Sequence, residues 1–259
     1  MKLRVVELLI ITTLPAMVLA NKDLPSFGLV AATLIGGTLA AGSSNAFNMV
    51  IEADTDKLMA RTSKRPLVLG TVTKAQATMF ASAIGLLSLA IFQIFTTTLA
   101  TLLTAIAIFY YVVIYTIILK PNTAQNIVWG GAAGCMPVLI GWAAVTGSLT
   151  WVPVAFFMVI FFWTPPHFWA LAIKYKDDYS AAGIPMLPSV STQSVVISQM
   201  WFHTIAMVIS STAMIQLAHL PVWVLCVTVL LGAVFTFQLF ALKENADNYN
   251  KVAAGIFHW

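Results

Sequence analysis

The sequence predicts an all-α, polytopic transmembrane helix bundle, and three observations carry that prediction. Of the 259 residues, 60% are hydrophobic and 8% are charged, against about 25% charged in soluble domains. The charges are bunched, so residues 24–51, 75–119, 121–173 and 179–242 carry none. When these stretches are cut into spans and the loops are assigned to alternating sides, all of the 13 Lys and Arg except Lys22 fall on one side, the asymmetry that marks cytoplasmic loops. Continuous apolar runs rather than alternating ones exclude a barrel, and only helices or closed barrels satisfy their backbone in lipid.

The spans follow in order. A crossing needs about 20 apolar residues. Residues 5–20 form the first span and 27–51 the second. The polar "FTTTL" at 95–99 divides the next uncharged stretch into 75–95 and 98–119. "TGSLTWVP" at 146–153 divides the third into 125–146 and 152–173. "AHLPV" at 218–222 separates 194–218 from 221–242, with Pro221 placed to open the last helix. Eight spans are therefore expected, in one domain covering residues 1–259, with the N-terminus and charged loops on the cytoplasmic side of the cell (inner) membrane. Residues 5–20 do not read as a cleavable leader, because Glu7 interrupts them and no small-residue cleavage site follows.

Composition also excludes function classes. The net charge of +4 reflects membrane orientation, so no nucleic-acid partner is expected. Cys135 and Cys226 lie in apolar runs and are read as packing residues.

Positive-inside asymmetry accounts for the bases but not for the acids. "NMVIEADTDKLMARTSKRPL", residues 48–67, holds Glu52, Asp54 and Asp56 and then Lys57, Arg61, Lys64 and Arg65. On a helix, Asn48, Glu52 and Asp56 stand four residues apart and share one face, with Asp54 pointing elsewhere. Carboxylates in a row repel unless a cation intervenes. Oxygen donors suit Mg²⁺, which commonly takes one or two carboxylates plus substrate phosphates. Arg61, Lys64 and Arg65 then suit the phosphates themselves. The alternative is a solvated run whose charges pair with one another. A second cluster, "IKYKDDYSAAGIPMLP" at 173–188, repeats the recipe with Lys174, Lys176, Asp177 and Asp178. Together the clusters suggest a diphosphate held through Mg²⁺ between two carboxylate groups.

These residues resemble a known family. Asn48-xxx-Glu52-xxx-Asp56 followed by "MARTSKRPL" is similar to the first acidic motif of the UbiA-type intramembrane prenyltransferases. "QNIVWGGAAGCMPVLIGWAAVTG" (125–147), "FWTPPHFWALAIKYKDDY" (162–179) and "AGIPMLP" (182–188) resemble its haem-modifying members. Glu52 stands where the family commonly has Asp, and Pro121-Asn122 where it commonly has Arg after the lysine. The resemblance implies a nine-helix bundle around a central cavity, the ninth helix expected to be missing after "AAGIFHW". It implies that farnesyl diphosphate alkylates a vinyl group of haem b to give haem O, with haem A synthase or oxidase assembly downstream.

Under that reading the chemistry is ionisation of an allylic diphosphate followed by attack of an electron-rich alkene. Mg²⁺ on Asn48, Glu52 and Asp56 stabilises the departing diphosphate, with Asp178 and Asp177 from the second cluster. Arg61, Arg65, Lys120 and Lys174 are the expected phosphate contacts, with Lys64 beside them. Tyr115, about one turn before Lys120, can steady a carbocation through its ring face, or be ordinary core. His167 in "TPPHFW" is the candidate haem contact; alternatively it satisfies a carbonyl freed by Pro165-Pro166. Two competing readings stay open: a sister prenyltransferase acting on a quinone precursor, and a transporter, which would place polar groups near mid-bilayer.

Overall fold

The computed structural model describes residues 3–58 and 62–258, with side chains from Ile11 onward within those ranges. Seven of the eight expected spans are helices long and apolar enough to cross a membrane: α2 (Phe27–Ile51), α3 (Lys74–Phe95), α4 (Thr98–Asn122), α5 (Asn126–Thr146), α6 (Trp151–Lys174), α8 (Gln193–Leu217) and α9 (Val222–Phe240). The eighth, 5–20, falls on helix α1 (Leu3–Asn21), whose described apolar part is Ile11–Asn21. Among the described residues, seven helices are thus long and apolar enough to span. Shorter helices include α7 (Lys176–Ala181) and α10 (Tyr249–Phe257).

The helices begin where local chemistry starts them. Ser26, Thr97 and Thr192 each accept a backbone N–H of the first turn of α2, α4 and α8. Thr73 and Gln76 cap α3 reciprocally, satisfying donors that a helix end leaves unpaired.

The chain folds as two compact units: Met1–Ile118 with Ala133–Pro153, and Leu119–Ala132 with Val154–Trp259. In the first, α2 and α3 pack closely. A Cβ on Gly36 would lie 2.8 Å from the Phe92 ring, and one on Gly85 would lie 2.7 Å from Ser43 Oγ. That closeness lets hydroxyls bridge the helices: Ser43 Oγ donates to the Ala81 carbonyl at 2.8 Å and Ser88 Oγ to the Gly36 carbonyl at 2.7 Å. Apolar burial supplies little drive between helices already in lipid, so small residues and such bonds hold them. Thr97 Oγ1 donates to the Ala143 carbonyl at 2.8 Å and ties the α3–α4 turn to α5.

The second unit has its own core, built on Trp169, Met200, Val196, Leu239 and Ile256. Here the fully buried Asn126 donates through Nδ2 to the carbonyls of Thr123 (2.7 Å) and Pro185 (3.3 Å), anchoring the "AGIPMLP" loop.

Candidate active site

The first acidic cluster sits at the end of α2. The helix stops at Ile51, so the three-residue row does not lie on one continuous α-helix as expected. Its spacing nevertheless survives. Glu52 N–H donates to the Asn48 carbonyl at 2.9 Å and Asp56 N–H to the Glu52 carbonyl at 2.8 Å. The chain then tightens into a 3₁₀ turn at Thr55–Leu58. Each bond repeats the four-residue step from Asn48 to Glu52 to Asp56.

Asp54 points elsewhere, as the helical spacing predicts. It is exposed and pairs with Lys57 at 2.8 Å and Lys74 at 3.0 Å. Hydrogen bonds from Lys57 and then Lys74 hold its carboxyl down at about 2. The alternative of charges pairing with one another describes Asp54 in solvent, and it holds for Asp56 as well, which pairs with Arg65 out of solvent.

Asp56 is different. Its side chain is 4% exposed and forms an ion pair, Oδ2 to Arg65 Nη1, with the Arg65 side chain 13% exposed. Thr62 Oγ1 donates to the Asp56 carbonyl at 2.9 Å and fixes the loop that brings Arg65 back. A carboxylate that holds one guanidinium N–H through one oxygen keeps the other for a further partner.

Asn48, 3% exposed, is oriented by a chain of hydrogen bonds. Its Nδ2 donates to Thr116 Oγ1 at 3.2 Å, and Thr116 Oγ1 donates to the Tyr111 carbonyl at 2.8 Å. With the amide nitrogen so engaged, the side-chain carbonyl oxygen is the end suited to a cation. The five-residue reach from Thr116 to Tyr111 belongs to a π-helical stretch of α4, Tyr110–Leu119. Its sequence, "YYVVIYTIIL", is dominated by β-branched residues that crowd an α-helix, and π turns concentrate at functional sites. Tyr111 lies within electrostatic range of both Glu52 and Arg65. Neither Thr116 nor Tyr111 stood out in the sequence; the β-branched run was the only local signal.

Tyr111 also lines a cavity of about 130 Å³ inside the first unit. The cavity follows α2 from Asn45 back to Thr33 and is otherwise walled by α1, α3, α4 and α5. Two of its hydroxyls bond within their own helices: Thr33 donates to the Leu29 carbonyl and Thr104 to the Ala100 carbonyl, both at 2.8 Å. The result is an apolar hollow with a polar end at Asn45 and Tyr111.

Of the other expected residues, Tyr115 is half-buried, its ring 5.3 Å from that of Tyr111. Lys64 is exposed and Lys120 half-buried. Arg61 lies outside the described residues. In the second unit Lys174 closes α6, exposed, with Nζ 5.6 Å from the Tyr175 ring. Asp177 is exposed and Asp178 half-buried, both in the first turn of α7.

His167 satisfies no carbonyl through Nδ1. This nitrogen is buried without a hydrogen-bond partner. The ring is stacked on Trp163 at 4.4 Å and lies 4.7 Å from Phe257. His203 Nδ1 is instead bonded to the Gln199 carbonyl at 2.8 Å.

Among the described residues, no three His, Cys, Asp or Glu converge as a ready metal site. Asn48, Glu52 and Asp56 each carry a side-chain oxygen, the donor type that a hard cation takes.

The sequence pattern of the UbiA prenyltransferase family matches residues 9–259. A protein of Renibacterium salmoninarum named protoheme IX farnesyltransferase is 49% identical over 260 residues, covering 99% of this chain and 82% of that protein. A UbiA homolog from Aeropyrum pernix K1 superposes with a TM-score of 0.76 at 16% identity, covering 100% of this chain and 96% of the other. A UbiA homolog from Archaeoglobus fulgidus bound to DMAPP and Mg2+ superposes at 0.72 and 18% identity, covering 99% and 95%. At these identities the structural likeness is one of fold, while the sequence match runs through both units. This chain, a multi-pass membrane protein, belongs to the UbiA prenyltransferase family.

Proposed function

We propose that the protein transfers the farnesyl group of farnesyl diphosphate to a vinyl group of haem b, giving haem O and releasing diphosphate. The observation that carries the prenyl-donor half is the apolar cavity whose polar end, at Tyr111, is within electrostatic range of Glu52 and Arg65. An allylic diphosphate has that polarity, a charged head on a greasy tail. The haem half is supported by the 49% identity to a protein named for that reaction.

In this reading the C1–O bond of the donor breaks and its electron pair leaves on diphosphate. The vinyl group bonds to C1, and water discharges the cation left on the porphyrin side as a hydroxyl, losing a proton. Mg²⁺, when bound, would neutralise the diphosphate charge as it develops. Asn48, Glu52 and Asp56 would hold the ion, and Thr116 would keep the Asn48 side-chain carbonyl facing it. Arg65 neutralises Asp56 and is poised to donate to a phosphate oxygen, beside Arg61 and Lys64. Asp178 and Asp177 are proposed as further carboxylate ligands, with Lys174 and Lys120 as phosphate contacts. The apolar walls keep water from the allylic cation, and the Tyr111 and Tyr115 faces would steady it by about 0.5–2 kcal/mol each. His167 is the proposed porphyrin contact, on account of its buried, unpaired Nδ1. We place the N-terminus and charged loops on the cytoplasmic face of the cell membrane, and the product's consumers in haem A synthesis or oxidase assembly.

Incubating the purified protein with haem b, farnesyl diphosphate and Mg²⁺ should yield a porphyrin heavier by one farnesyl group plus one hydroxyl. Absence of that product, with the donor recovered intact, overturns the reading.

A further inference from the structure

One side chain dominates the far end of the cavity in the first unit. The hollow lines α2 from Asn45 to Thr33, twelve residues or about 18 Å of helix at 1.5 Å per residue. Its polar end lies toward Asn48 and the acids; at the other end Phe92 and Ile140 line it. The same two side chains belong to a sealed apolar cluster with Ala100, Leu103, Ala143 and Ala144. Phe92 is 0% exposed and its ring edge lies against Gly36, where a Cβ would come within 2.8 Å. Helix α2 therefore supplies no side chain at that level; the phenyl ring fills the space alone. The cavity surface just above it is apolar, because Thr33 and Thr104 direct their hydroxyls to their own helices.

A tail threaded from the acids runs toward this ring, and a chain one isoprene unit longer than the hollow meets it end-on. We propose that Phe92 is the residue that limits prenyl chain length, by closing the distal end of the tail cavity. This rests on the prenyl-diphosphate reading of the same site. The cause is steric: packed interiors are close to crystal density and yield little to an extra C5 unit, whereas removing a buried ring leaves a void that only partly collapses.

The test compares geranyl, farnesyl and geranylgeranyl diphosphates with the full-length protein, in two readouts. One is thermal stabilisation by each diphosphate with Mg²⁺ present and haem absent; the other is prenyl transfer to haem b. Phe92→Ala should raise the preference for geranylgeranyl over farnesyl diphosphate at least tenfold in both readouts. Phe92→Leu should do the same more weakly and preserves more of the packing. Thr104→Leu adds volume at the same end without removing an interhelical bond, and should shift preference toward geranyl diphosphate. Phe95→Ala, at a 62% exposed position of the same helix, should leave the preference unchanged. An unaltered chain-length preference in folded Phe92→Leu and Thr104→Leu overturns the proposal, as does an equal loss for all three donors. If the stabilisation data show the shift but no haem product forms with any donor, the haem reading falls and the role of Phe92 stands. If no diphosphate stabilises the unaltered protein, both fall.

Discussion

Arg65 and Asp56 give the sharpest energetic prediction. Both side chains are nearly buried, 13% and 4% exposed, and they form an ion pair. Arg65→Met keeps the length and apolar stem of the side chain but leaves the Asp56 carboxylate buried without its cation. Removing one partner of a buried pair costs about 3–5 kcal/mol. Coulomb's law gives the same size: unit charges ~4 Å apart at an effective dielectric of about 20 attract by about 4 kcal/mol. Residual access at Arg65 puts the expectation at the lower end, about 3 kcal/mol, or roughly a hundredfold in the folding equilibrium. Asp56→Asn should cost a similar amount, because it strands the guanidinium. The double variant should cost much less than the sum, since it leaves no buried net charge. The measurement is reversible unfolding in mixed micelles, run as a double-mutant cycle. Mg²⁺ should stabilise Arg65→Met more than the unaltered protein, because the ion replaces the missing cation at Asp56. Strict additivity across the cycle would refute the argument, as would a cost below about 1 kcal/mol for Arg65→Met.

Thr116→Val removes the acceptor that orients Asn48; by analogy with other groups that orient metal ligands, activity and Mg²⁺ affinity should fall about 10–100-fold with thermal stability little changed, checked by a Mg²⁺ titration of prenyl transfer. Ser88→Ala deletes the bond to the Gly36 carbonyl and should cost about 0.6 kcal/mol, at most about 1.7, as interhelical bonds in membranes do, measured by the same unfolding assay. Asp54 has a folded pKa of about 2 against 3.8 for the free group. Its pairing with Lys57 and Lys74 therefore contributes fully above pH 3.8 and is lost as pH falls through about 2. Asp54→Asn should flatten the stability profile in that window and leave its shape unchanged at neutral pH. His167→Phe should preserve the stacked packing on Trp163 but weaken haem b binding, read by absorbance titration.

The distribution of charge along the chain located seven of the spans, because a bilayer penalises charge wherever a helix crosses it. Thr73 with Gln76, and the cap positions Ser26, Thr97 and Thr192, are local chemistry and can be read locally. The spacing of Asn48, Glu52 and Asp56 was readable because four residues make about one helical turn, and the backbone kept that step even after α2 ended. That spacing also set Asp54 off the face of Asp56, but it did not say which cations each aspartate would take. One stands in solvent with two lysines and the other is buried against Arg65; that difference comes from the loop that Thr62 ties down. Thr116 lies 68 positions from Asn48 and reaches it only because α4 winds as a π-helix there. The cavity of the first unit, with Phe92 in its lining, exists only where five helices leave a gap. Composition and periodicity report the solvent in which each segment lives. Partners of specific side chains are fixed by how helices pack, which is a property of distances between residues far apart in the chain.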